Sequence, residues 1–150
     1  MTSQGETTKR FSQAAIEAAN RAEATALLIR CGFRVYRPEA DIEGEDLVLR
    51  QPAGMLIPVQ LKPRIYVDGQ RYSGLGLFML FPLGPFTPAA PRPWFLTPHD
   101  PLYAEVEKRH GHTPKWTGRW HSAYPGSALR EYLAPFEVTP PAEPEAPEPA

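Results

Sequence analysis

The sequence predicts an α+β or α/β sandwich with a mixed sheet, on three observations. An alanine-rich stretch without proline or glycine opens the chain at helical spacing. Short apolar runs of strand length follow it, separated by turn signals. Two short helix signatures then close the chain, giving an N-terminal helix, a mixed β-sheet and short C-terminal helices.

The first helix spans about Lys9 to Arg30. Phe11, Ala15, Ala18, Ala19, Ala22, Ala26 and Ile29 recur along it at helical spacing, and Gly32 is a suitable stop. "FRVYRP", Phe33 to Pro38, alternates apolar and basic residues as a first strand that Pro38 ends. The turn "EADIEGE" leads into a hairpin, Asp46 to Arg64. "IYVDGQRYSG" reads as a turn around Asp68-Gly69, "LGLFMLFP" as a buried strand and "PWFLT" as another short strand. "DPLYAEVEKRHG" is a helix with Asp100 as N-cap, Pro101 at the first helical position and Gly111 at the stop. "PGSALREYLAPF" repeats that grammar, with Ser127 as cap, Leu129 and Leu133 on one face and Pro135 as terminator.

Composition bounds the function. At 150 residues the chain suits one domain with its own hydrophobic core. Residues 1–8 read as a flexible N-terminus, 9–138 as the domain and 139–150 as a disordered tail. That tail, "TPPAEPEAPEPA", carries five of the 19 prolines and too little apolar surface to offset its ordering entropy. Asp and Glu number 17 against 16 Lys and Arg, and three of the acids (Glu143, Glu145, Glu148) lie in the tail, so the body is weakly basic. A single cysteine, Cys31, excludes an internal disulfide and a cysteine zinc cluster, and reads as a small core residue. No apolar run has the length of a membrane span and no signal-peptide core is present. The expectation is a cytoplasmic protein without a membrane partner.

The hairpin carries the chemistry. Pro52 suits the second position of a type I turn and Gly54 the left-handed residue that closes a three-residue loop. Residue i then lies opposite 106 minus i, so Asp46 faces Gln60 and Gln51 faces Met55. Leu47, Leu49, Ile57, Val59 and Leu61 share one face, while Asp46, Gln60 and Lys62 share the other. Opposed side chains start about 5 Å apart at Cβ, near enough for two to reach one metal ion. One face is thus a core and the other gathers an acid, an amide and an amine, which a merely amphipathic hairpin would leave solvated.

The order helix, strand, "EGED", hairpin and "QLK" resembles the PD-(D/E)XK nuclease superfamily. "AEATALLIRCGFRVYRPEADIEGEDLVLR" followed by "IPVQLKPR" is similar to small bacterial members whose third core strand ends in Q-x-K, and to archaeal-type Holliday junction resolvases in layout. The resemblance covers Glu23 to Arg64, about a quarter of the chain. It implies a restriction-endonuclease-like core and a nuclease that uses one or two Mg²⁺ or Mn²⁺ ions on nucleic acid, in the first instance DNA. It further implies Asp46 and Gln60 as metal ligands and Lys62 beside the attacking water or the scissile phosphate. A glutamate of the first helix completes such sites, with Glu23 the candidate and Glu17 behind it. Gln60 stands where relatives often carry an acid, and Asp41 and Glu43 are further carboxylates nearby. The alternative on the same fold is a non-catalytic module that binds nucleic acid or a protein, its metal site lapsed to Gln60.

Beyond the hairpin, "EKRHGHTPKWTGRWH" interleaves Lys115 and Arg119 with Trp116 and Trp120. Cations for phosphates and rings for bases suit a nucleic-acid groove; otherwise the tryptophans pack the last helices onto the sheet. Arg71, in the turn after the hairpin, joins Lys115, Trp116 and Arg119 as a candidate contact to nucleic acid. His110, His112 and His121 lack an acid or cysteine partner and read as surface residues rather than a zinc site. A homodimer through the Leu77-to-Phe81 strand and the tryptophans is a third reading.

Overall fold

The structure, a computed structural model, describes residues 11–40, 45–89 and 91–142. The expected flexible N-terminus, Asp41, Glu43 and the three tail glutamates lie outside the described residues.

Helix α1 (Gln13–Arg30) begins where Ser12 Oγ accepts the Ala15 N–H at 3.1 Å. It ends at Cys31, and Gly32 takes the left-handed conformation (φ 90°) expected of a helix stop. Its buried side is Asn20, Ala24 and Leu28, not the alanine stripe read from the sequence: Ala15, Ala18, Ala22, Ala26 and Ile29 are exposed. An alanine buries little area, so the helix turns to put Leu28, with half-buried Leu27, onto the sheet. Cys31 is half-buried in that cluster, and burial pushes its thiol pKa up, away from the reactive thiolate.

Strands β1 (Arg34–Tyr36), β2 (Leu47–Arg50) and β3 (Leu56–Leu61) form an antiparallel meander. The hairpin register is the expected one, Leu47 opposite Val59 and Leu49 opposite Ile57, closed by Gly54 at φ 103°. After β3 the chain makes β4 (Ile65–Asp68) and the single helical turn α2 (Gly69–Tyr72), then returns as β5 (Phe78–Pro82), parallel to β3. β6 (Trp94–Pro98) pairs antiparallel with β5, so the sheet order is β1-β2-β3-β5-β6. Helix α3 (His99–His110), β7 (Arg119–Ser122) and α4 (Ser127–Leu133) follow, with a 3₁₀ turn at Ala134–Phe136.

Three expectations are corrected here, and one further segment proves to hold a strand. The Asp68-Gly69 segment is a strand running into a helical turn whose first N–H groups Asp68 caps, Oδ1 accepting from Arg71 N–H at 3.1 Å. The basic and aromatic segment contains β7, which pairs with β4 as a separate two-stranded sheet. Helix α3 starts one residue before Asp100; that carboxylate accepts from the Gly74 N–H at 3.0 Å and meets His99 Nδ1 at 2.8 Å. Helix α4 starts at Ser127 itself, with Gly126 as N-cap and no side-chain cap bond. As for the dimer reading, β5 is an interior strand between β3 and β6, so its backbone cannot pair with a second chain.

Two apolar clusters sandwich the sheet. Ala24 and Leu28 pack on Leu47, Leu49, Ile57, Val59, Leu80 and Trp94 on one face. Met79, Phe81 and Phe95 meet Val67, Tyr72, Leu102, Val106, Leu129 and Leu133 on the other. Among the described residues no helix is long and apolar enough to cross a membrane.

Candidate active site

Regular pairing of the hairpin stops at Asp46. Its N–H donates to Val59 O at 2.8 Å, although Val59 is the register partner of Leu47, so the strand slips by one residue there. The Asp46 carboxylate then turns inward and Oδ2 accepts the Leu61 N–H at 3.0 Å, taking the place of a ladder carbonyl. One residue further on β3, the Lys62 N–H bonds Leu80 O on β5 at 2.9 Å, and Pro63 ends the pairing. Asp46 and Lys62 therefore stand at adjacent strand ends, each fixed through the backbone.

A cleft of about 340 Å³ opens between these strand ends and the first half of α1. Asp46, Leu47, Leu61 and Lys62 form one wall, and Gln13, Glu17, Asn20 and Arg21 the other, with Arg37 at the rim. The helical phase explains the second wall. At 100° per residue, Gln13, Glu17, Asn20, Ala24 and Leu28 fall within about 80° of one another. Ala24 and Leu28 use that side for the core, while Gln13 and Glu17 continue it past the end of the sheet. Arg21, Arg37 and Lys62 outnumber Glu17 and Asp46, so the cleft suits an anion.

Lys62 sends its ammonium 4.4 Å from the Tyr66 ring centroid and 5.7 Å from that of Tyr72. It takes part in none of the ion pairs among the described residues. Gln60 is 6% exposed, next to Met79 on β5, and is not among the residues lining the cleft. Its Oε1 has no hydrogen-bond partner among the described residues. Glu23 points elsewhere: Oε2 meets Arg92 Nη2 at 2.6 Å and Oε1 accepts the Arg92 N–H at 2.9 Å. Arg92 also donates to Asn20 Oδ1 and to Gly84 O. The acid of α1 that lines the cleft is Glu17.

The expected nucleic-acid contacts lie outside this cleft. The Arg71 guanidinium sits 5.2 Å from the Tyr72 ring, Arg119 is opposite Asp68 on β7, and Lys115 is exposed. Trp116 is half-buried against Tyr103, and Trp120 stacks on His110 at 4.7 Å. Tyr66, Arg21 and Arg37 were not singled out by the sequence. The α1 phase would have identified Arg21, had its buried side been known.

Among the described residues no three His, Cys, Asp or Glu side chains converge as a metal cage. Mg²⁺ ordinarily takes one or two carboxylates and completes its shell with water and substrate phosphate. Asp46 and Glu17 lining one cleft fit that demand, whereas Gln60, buried beside Met79, does not line it.

No family model and no curated protein matches this sequence. Among solved structures, the bacterial homing endonuclease I-Ssp6803I is similar over 77% of this chain and 78% of its own, at 18% identity and a TM-score of 0.48. A likeness of that extent carries no argument about the site.

Proposed function

We propose that this chain is a divalent-metal-dependent nuclease of the PD-(D/E)XK type, hydrolysing phosphodiesters in DNA. The observation that carries the reading is the convergence of Asp46 just before β2, Lys62 just after β3 and Glu17 from α1 on one cleft. The mixed sheet supports it as well, with the hairpin in the expected register and β5 parallel to β3, since it sets Asp46 and Lys62 at adjacent strand ends.

In this reading Asp46 and Glu17 would hold Mg²⁺ or Mn²⁺, and Gln60, buried beside Met79, would join them only by turning its amide toward the cleft. An ion held there would supply Lewis acidity toward the phosphodiester and a more acidic water. The Leu61 N–H fixes one Asp46 oxygen and so orients the carboxylate. Lys62, held over aromatic faces rather than spent on an acid, stabilises charge on the scissile phosphate. Arg21 and Arg37 attract the backbone into the cleft. Glu23 orders Arg92 and stays out of the chemistry.

Cleavage of plasmid and oligonucleotide substrates with Mg²⁺ or Mn²⁺ tests this reading. Activity in the wild type that Asp46→Asn abolishes, with an unchanged circular dichroism spectrum, is expected. Equal activity in the variant overturns it. The second reading is a non-catalytic module that binds nucleic acid, favoured by Gln60 standing buried where an acid would ligate. It expects salt-sensitive DNA binding without Mg²⁺ and no cleavage of any substrate form.

A further inference from the structure

The small sheet beside the cleft presents an unusual outer face. The register pairs Ile65 with Ser122 and Val67 with Trp120 on one side, where Ile65 and Val67 are buried in the core. Alternation puts Tyr66 with His121, and Asp68 with Arg119, on the other. Tyr66 and His121 stack with ring planes 8° apart and centroids 6.0 Å apart, and His121 is exposed. The Lys62 ammonium lies against the same Tyr66 ring, so this ring pair begins where the cleft ends. Exposed Arg64 and Arg71 flank it, and Arg119 stands on it. Asp68, the acid of this face, has Oδ1 accepting from the Arg71 N–H at the start of α2.

We infer that this face is a stacking platform for an unpaired stretch of nucleic acid, which it delivers to Lys62 and the cleft. The inference rests on the nuclease reading above and deepens it by naming the substrate class, single-stranded or locally unpaired strands rather than plain duplex. Two physical requirements of single-strand binding meet here. Every base has a π-face that can stack on an exposed ring, and every linkage has a phosphate that pairs with a guanidinium. In a continuous duplex the bases already stack on one another, so a ring pair standing on a sheet finds no base face to cover. Tyr66 is itself half-buried, so His121 is the ring of the pair that stands in solvent; Trp120 alternates onto the core side opposite Val67, and Trp116 packs against Tyr103.

The test is fluorescence anisotropy in EDTA, which prevents cleavage, with a labelled oligothymidylate and a blunt duplex of equal length as probes. The wild type binds the oligothymidylate at least about tenfold more tightly, with affinity falling as salt rises. His121→Ala and Arg119→Ala, both at exposed positions, each weaken that binding about fivefold or more and leave duplex binding nearly unchanged. Equal affinity for the two probes, no binding of either, or unchanged single-strand affinity in both variants overturns the inference. Asp46-dependent cleavage combined with unchanged single-strand binding in both His121→Ala and Arg119→Ala removes the platform and leaves the cleft reading standing. Platform-dependent binding without cleavage does the reverse.

Discussion

Two polar clusters on α1 use the same kinds of residue to opposite ends. Around Arg92, the Glu23 carboxylate, the Asn20 amide and the Gly84 carbonyl together absorb the guanidinium, and both Glu23 oxygens are engaged. One turn and a half earlier, Glu17 faces a cleft of about 340 Å³ with Asp46 and Lys62, and neither Glu17 nor Lys62 takes part in an ion pair among the described residues. A cluster that satisfies itself contributes to the fold. A lysine held over aromatic rings and outside any ion pair among the described residues, as Lys62 is, is disposed to bind something from outside. A carboxylate's function therefore follows from what occupies its oxygens, more than from its place in a motif.

After the loss expected for Asp46→Asn, the largest effect is at Lys62. Lys62→Ala should lower metal-dependent cleavage about 100-fold or more while Mn²⁺ binding persists, because in the proposed reading the amine acts on the phosphate and not on the metal. Single-turnover cleavage beside a Mn²⁺ titration checks both halves, and a parallel loss of metal binding would break the assignment. Arg92→Ala should do the opposite. It leaves a part-buried carboxylate and an amide oxygen without their cation, costing about 3 kcal/mol in urea unfolding, and leaves cleavage by the folded protein close to wild type.

Gln60 decides where its own amide belongs. An acceptor buried without a partner destabilises, so Gln60→Met should leave stability unchanged or raise it by up to about 1 kcal/mol. If Gln60 donates to the metal, Mn²⁺ affinity falls severalfold in the same variant; unaltered affinity would assign Gln60 to the core alone. The smallest effect concerns Asp100, away from both clusters. Its hydrogen bonds from His99 and from the Gly74 N–H hold its carboxyl below the usual carboxylate range. A depressed folded pKa contributes stability that is present above the unfolded value of about 3.9 and is lost as pH falls through the folded one. Asp100 is half exposed, so the effect is small. Urea midpoints measured from about pH 5 downward should fall less steeply in Asp100→Asn than in the wild type.

What could be read from the sequence follows from how strongly each segment is specified. Pro52, Gly54 and the alternation of Leu47, Leu49, Ile57 and Val59 determine the hairpin register, because a slip by one residue would put the leucines in solvent. Nothing as strong sets the rotation of α1. Its alanines offer nearly equal small faces, and the choice falls to Leu28 against the sheet, which turns Glu17 into the cleft and Glu23 toward Arg92. The pair β4 and β7 was illegible for a related reason. "RWHS" has no apolar run, and its pairing with "IYVD" spans more than fifty residues. The Asp46 slip depends on a side chain replacing a backbone carbonyl, which alternation alone does not express.

The contrast between the two α1 clusters is tested most directly by Mn²⁺ titration calorimetry on the wild type, Asp46→Asn, Glu17→Gln and Glu23→Gln, with an uncleaved oligonucleotide present to supply phosphate oxygens. The open cleft predicts binding that Asp46→Asn abolishes, Glu17→Gln weakens and Glu23→Gln leaves unchanged. The same heats in wild type and Asp46→Asn, or a loss in Glu23→Gln with none in Glu17→Gln, would contradict it.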